Sequence, residues 1–145
     1  MYRYPSYYIF FYIMKKQDKK NMITAMEEAT KSSMNMRHGC VIIDRKGDVI
    51  AKACNRYTGL RNLSIPYVAG KKMSCHAEEN ALSQVDPKRL HGARLYVTRI
   101  SDCNGVTTLK YSKPCVHCTA IIHKYMKNYG LQKVFYTSDD YDLVY

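Results

Sequence analysis

The chain has 145 residues, a formal net charge of +11 and six cysteines. That length fits one domain with a core that needs no disulfide or metal staple. The uneven cysteine spacing, without a secretory leader, predicts free thiols in a reducing cytosol. The basic balance favours anionic partners such as nucleotides or nucleic acid over acidic ones, or serves only to keep the surface solvated.

Residues 1–21 read as an extension to a single domain over 22–145. The extension carries seven aromatic residues between Tyr2 and Tyr12, followed by Lys15-Lys16 and Lys19-Lys20. Its apolar run is far shorter than the ~20 residues a membrane helix needs, so no span is expected. Packing on the domain, an interfacial anchor and poor order remain the alternatives. From Asn21 the stripe Met22, Ala25, Met26, Ala29 and Ser33 predicts an amphipathic helix over 21–34. Cys40–Asp44 and Val49–Cys54 read as two strands of a hairpin turned at Gly47. A loop over 57–73 follows, long enough to be functional. Ser74 is a candidate N-cap for a helix over 75–85, ended by Asp86-Pro87. Arg94–Ile100 is a strand, 101–112 a polar loop, and Pro114 suits the first position of a helix over 115–128 stopped by Gly130. Lys133–Thr137 is a strand, and Tyr141–Tyr145 a candidate fifth. Strands alternating with helices predict a mixed sheet covered by helices, with both helix starts at the edge where ligands bind.

Two helix starts carry the chemistry. Ser74-Cys75-His76-Ala77-Glu78-Glu79 offers a nitrogen ligand with a carboxylate two residues on, and Lys113-Pro114-Cys115-Val116-His117-Cys118 offers two cysteines three residues apart. That spacing puts both sulfurs on one face of a helical turn, at an N-terminus that favours thiolates. His76, Cys115 and Cys118 are three zinc ligands, which leaves one tetrahedral position for water, the arrangement of a catalytic site. Zinc lowers the pKa of such a water towards ~7. Glu78 is placed to move its protons, with Glu79 as the nearby competitor. A closed site with Cys75 as fourth ligand is the structural alternative, although adjacent helical residues diverge by about 100°. A redox-active pair of cysteines is disfavoured by the histidine–acid partner. His117 lies between the two cysteines in sequence but points elsewhere, a poor third ligand, and His38, His91 and His123 are read as surface or packing residues.

The pattern His76-Ala77-Glu78 with Pro114-Cys115 and Cys118 resembles the zinc-dependent cytidine and deoxycytidylate deaminase superfamily. The resemblance covers about residues 22–137. It implies a three-layer α/β/α sandwich around a mixed five-stranded sheet, one catalytic zinc ion, and hydrolytic loss of ammonia from a base. By position, His76, Cys115 and Cys118 bind the metal, Glu78 shuttles protons, and Asn55 matches a nucleoside-contacting asparagine, with Arg56 and Ala77 beside it. Cys75 before His76 resembles the deoxycytidylate branch, and Arg61, Lys71 and Lys72 are candidate phosphate contacts. Ala53-Cys54-Asn55-Arg56 also looks like the tRNA-adenosine enzymes, but the extra C-terminal helix of that branch is not found after Thr137. The implied function is deamination of a cytosine nucleotide or nucleoside, deoxycytidylate first, by a cytoplasmic homo-oligomer. Action on bases in RNA or single-stranded DNA is the alternative within the same chemistry. A non-catalytic zinc-containing binding module is the alternative outside it.

Overall fold

β-branched and small apolar residues dominate the middle of the chain, and they form the sheet. The computed structural model describes residues 15–57, 74–103 and 105–137. Its elements are helix α1 (Lys16–Ala29), strands β1 (Arg37–Ile43), β2 (Val49–Cys54), β3 (Arg56–Tyr57) and β4 (Ser74–Cys75), helix α2 (Ala77–Ser83), a 3₁₀ turn (Pro87–Arg89), β5 (Arg94–Cys103), β6 (Val106–Lys110), helix α3 (Val116–Tyr129) and β7 (Lys133–Tyr136). The five-stranded sheet runs β2-β1-β5-β6, with β7 also paired to β5. β5 is the spine. One edge pairs antiparallel with β1 from Arg94 to Ile100. The other edge takes β7 in parallel over Arg94–Val97 and β6 antiparallel over Arg99–Cys103. The sheet is therefore mixed, as the resemblance implies.

Alternation along the strands splits the core into two layers. Val41, Ile43, Tyr96 and Phe135 face α1, where they bury Met22 and Ala25. Tyr96 and Phe135 stack with centroids 4.7 Å apart. Cys40, Ile42, Leu95, Val97 and Val134 face the other way, against Ala77, Ala81 and Leu82 of α2 and Ile122 of α3. Helices thus cover both faces in three layers. α1 lies so close to β1 that a Cβ on Gly39 would overlap the backbone of Ala25 and Ala29.

Several elements depart from the sequence reading. α1 begins five residues earlier than expected, inside the segment read as an extension, and ends at Ala29. Asp18 is the reason: it is buried and accepts hydrogen bonds from Tyr96 Oη and from Arg94 Nη1, the latter at 3.2 Å. A partner 76 residues away thus draws a Lys-rich turn into the fold. The expected loop over 101–112 is a hairpin. β5 runs on to Cys103, and Gly105 turns the chain at φ +77 into β6. Ser74 and Cys75 form a strand rather than a cap and first turn, and Pro114 precedes the α3 cap instead of opening the helix. Gly130 does cap α3, in the left-handed conformation. Residues 1–14, the 58–73 stretch with Arg61, Lys71 and Lys72, and the candidate strand at 141–145 lie outside the described residues. Among the described residues no helix is long and apolar enough to cross a membrane.

Candidate metal centre

Each ligand is held by the segment just before its helix. β3 pairs with β4, Arg56 opposite Cys75 and Tyr57 opposite Ser74, so the chain entering α2 is strapped to the end of β2. His76 therefore sits at the N-cap of α2 in extended conformation. Asn80 adds a second tie, its Nδ2 donating to Cys54 O at 3.0 Å. Cys115 is the N-cap of α3, and its sulfur accepts from the Cys118 N–H at 3.4 Å. Upstream, the buried Ser112 hydroxyl donates to Val97 O at 3.0 Å and accepts from Thr137 N at 2.7 Å. That pin fixes the chain leaving β6 to both β5 and β7. Asn80, Ser112 and Thr137 escape sequence reading because their partners are remote backbone groups.

The two helix starts meet. His76 Nδ1 lies 3.2 Å from Cys118 Sγ and 3.4 Å from Cys115 Sγ. The three donor atoms all lie within 4.8 Å of one another. Ordinary zinc bond lengths in tetrahedral geometry place nitrogen and sulfur about 3.6 Å apart and two sulfurs about 3.8 Å apart. The donor set, two soft sulfurs and an imidazole, is one that selects zinc. Burial, followed by the charges of Glu78 and Cys115, pushes the Cys118 thiol far above its ordinary range. A thiolate in this spot needs a cation beside it, which zinc supplies. The residues fit the ion on distance, chemistry and charge.

Cys75 does not join the cluster among the described residues; its thiol is 3.7 Å from His76 O. The closed four-ligand site therefore gains no support. His117 is 3.6 Å from Glu79 Oε2, with its ring edge-on to His76 at a centroid distance of 6.2 Å. The competitor carboxylate of Glu79 is thus more exposed than Glu78 and lies beside His117.

Glu78 is 5 % exposed, in the first turn of α2. Burial raises its carboxyl above the usual range, against the lowering pull of its own backbone N–H, the His76 charge and the Cys118 thiol. Asn55 is buried at the end of β2. Its Oδ1 accepts from His38 N at 2.9 Å and its Nδ2 donates to Met36 O at 2.6 Å. Among the described residues, one N–H and one lone pair of that amide have no partner. Arg56 is exposed, and the Ala77 methyl is packed in the core, which leaves its backbone to meet a ligand. His38, partly buried, has its pKa lowered to about 4 by burial and then by the Arg99 charge.

A model of the cytidine and deoxycytidylate deaminase zinc-binding region matches residues 15–137. No curated protein sequence matches the chain. Among solved structures, the apo dCMP deaminase from the cyanophage S-TIM5 superposes with a TM-score of 0.58 at 23% identity, covering 85% of this chain and 84% of that one. The cytidine deaminase from Burkholderia pseudomallei superposes with a TM-score of 0.54 at 15% identity, covering 91% of each chain. At these identities the two structures speak for the fold.

Proposed function

The chain belongs to the cytidine and deoxycytidylate deaminase zinc-binding family, and from that premise we propose that it hydrolyses the amino group of a cytosine nucleotide, deoxycytidylate by preference, to give the uracil form and ammonia. The observation that carries this reading is the buried carboxylate of Glu78 beside the converged His76, Cys115 and Cys118 donors.

His76, Cys115 and Cys118 hold the zinc ion. When bound, the ion supplies Lewis acidity, which makes water nucleophilic at neutral pH. Glu78 does the proton work. Its carboxylate takes a proton from water as the oxygen adds to C4 of the base, delivers it to the ring nitrogen N3, and then carries the remaining proton of the new C4 hydroxyl to the amino group as the C4 carbonyl forms, the C4–N bond breaks and ammonia leaves. A carboxyl raised by burial is suited to taking and returning a proton near neutral pH. Ala77 offers backbone to the base, and Asn55 with Arg56 forms the neighbouring wall. The preference for deoxycytidylate rests on Cys75 preceding His76 and on the basic character of the chain.

The test is ammonia release from zinc-loaded protein with cytidine, deoxycytidine, their monophosphates, guanine, adenosine and short oligonucleotides. Release is expected from cytosine monophosphates first. Release confined to oligonucleotides would replace this reading with base editing of a polynucleotide. Such an activity would fall steeply with rising salt, since each phosphate contact releases counterions.

A further inference from the structure

The β5–β6 hairpin builds a feature that the deaminase reading does not use. Strand register aligns Lys110 with Arg99 and Arg99 with His38, a row across β6, β5 and β1. Side chains alternate along a strand. Val97 in β5 and Cys40 in β1 face the layer of α2 and α3, so Arg99 and His38, two residues further along, face it too. They lie just past the apolar cluster, at the sheet end where α2 and α3 begin and His76, Cys115 and Cys118 converge. The His38 ring feels the charges of both Arg99 and His76.

The row is cationic and uncompensated. Among the described residues no carboxylate is within ion-pair distance of Arg99 or Lys110. The hairpin's one acidic residue, Asp102, belongs to the opposite alternation, where it is held by Arg37 and Thr107. Glu79, on α2, lies 3.6 Å from His117 and is not within ion-pair distance of Arg99. Arg99 is partly buried, and among the described residues its Nε is buried with no hydrogen-bond partner. An N–H of a guanidinium held out of water without an acceptor costs stability, and a ligand oxygen that reaches it restores it. His38 is neutral at pH 7 and adds no repulsion.

We propose that Arg99, assisted by Lys110, receives the phosphate of a nucleotide whose base lies at His76 and Glu78. The inference rests on the deaminase reading for the position of the base. Nucleotide-over-nucleoside selectivity is then written into the β5–β6 hairpin. The planar guanidinium meets two phosphate oxygens side by side, and the Lys110 ammonium, on the exposed edge strand, adds a second charge.

The test uses full-length zinc-loaded protein and the variants Arg99→Gln, Arg99→Lys and Lys110→Gln. Two readouts are taken: kcat/KM for deoxycytidylate and deoxycytidine, and calorimetric binding of the products deoxyuridylate and deoxyuridine. Wild-type protein is expected to favour the phosphorylated member of each pair. Arg99→Gln is expected to lose about 10- to 100-fold on the phosphorylated member, the value of a charge-assisted hydrogen bond, with little change on the other. Arg99→Lys recovers part of the loss, and Lys110→Gln, at an exposed position that does not threaten folding, shows a smaller loss of the same kind. Equal losses on both members, or wild-type binding that ignores the phosphate, overturn the proposal. Ammonia release from both substrates without phosphate preference overturns it and leaves the deaminase reading standing. Arg99-dependent binding of deoxyuridylate without any ammonia release does the reverse.

Discussion

Replacing Asn55 by alanine separates a brace from a substrate ligand. The Asn55 amide joins Met36 O, just before β1, to His38 N, within it. Alanine removes both hydrogen bonds and leaves a carbonyl and an N–H behind. Each bond contributes about 1 kcal/mol net, and each buried orphan costs about 1–3 kcal/mol. Met36 is half exposed, so water repairs the carbonyl end, and the expected loss is about 2–3 kcal/mol. With an unfolding slope of about 2 kcal/mol/M, the urea midpoint of the zinc-loaded protein falls by about 1–1.5 M. Asn55→Asp keeps an acceptor for His38 N but sets a carboxylate oxygen against Met36 O, so it falls at least as far. Urea unfolding followed by circular dichroism makes the measurement, with KM recorded in parallel. An unmoved midpoint with a raised KM would refute the bracing role and make the amide a substrate contact alone.

Gly39→Ala forces α1 away from β1, because the new Cβ meets the backbone of Ala25 and Ala29. A loss of about 3 kcal/mol or more is expected, read as a fall in Tm of roughly 6–12 °C; an unchanged Tm would show that the helix does not pack there. His38 sets a pH dependence. Its pKa is about 4 in the folded chain against about 6.5 unfolded, so its contribution is complete above pH 6.5 and is lost as pH falls towards 4. Discounted for partial exposure, the loss is about 1–2 kcal/mol between pH 7 and 4. His38→Asn is expected to flatten that part of the stability profile, and superimposable profiles would contradict the burial of the ring.

Legibility followed the range of the interactions. The β1–β2 hairpin was readable because β-branched residues and a Gly-containing turn are local signals. The cluster of His76, Cys115 and Cys118 was readable because each half of the pattern is contiguous and tied to one helix start. α1 was misplaced because Asp18 and Asn21 look like surface residues until Tyr96 and Arg94 of β5 cover them. The β5–β6 hairpin carried a local signal, Asn104-Gly105, which the polar residues around it outweighed; Asn-Gly between paired strands is a strong turn cue. The Ser112–Thr137 pin and the Arg99–Lys110 row have no local signature, since each depends on register between strands. Cys115 serves as cap because Pro114, lacking an N–H and disfavouring helical conformation before it, suits the turn just outside the helix as well as its first position.

The central claim is that three side chains hold the metal while a fourth, Glu78, moves the protons. Wild-type protein and Glu78→Gln, purified side by side, are to be assayed for bound zinc per chain and for ammonia release from deoxycytidylate. About one zinc is expected in both proteins, with a fall in turnover of roughly 10²- to 10⁴-fold in the variant. Undiminished turnover in Glu78→Gln, or wild-type protein without zinc, would contradict it.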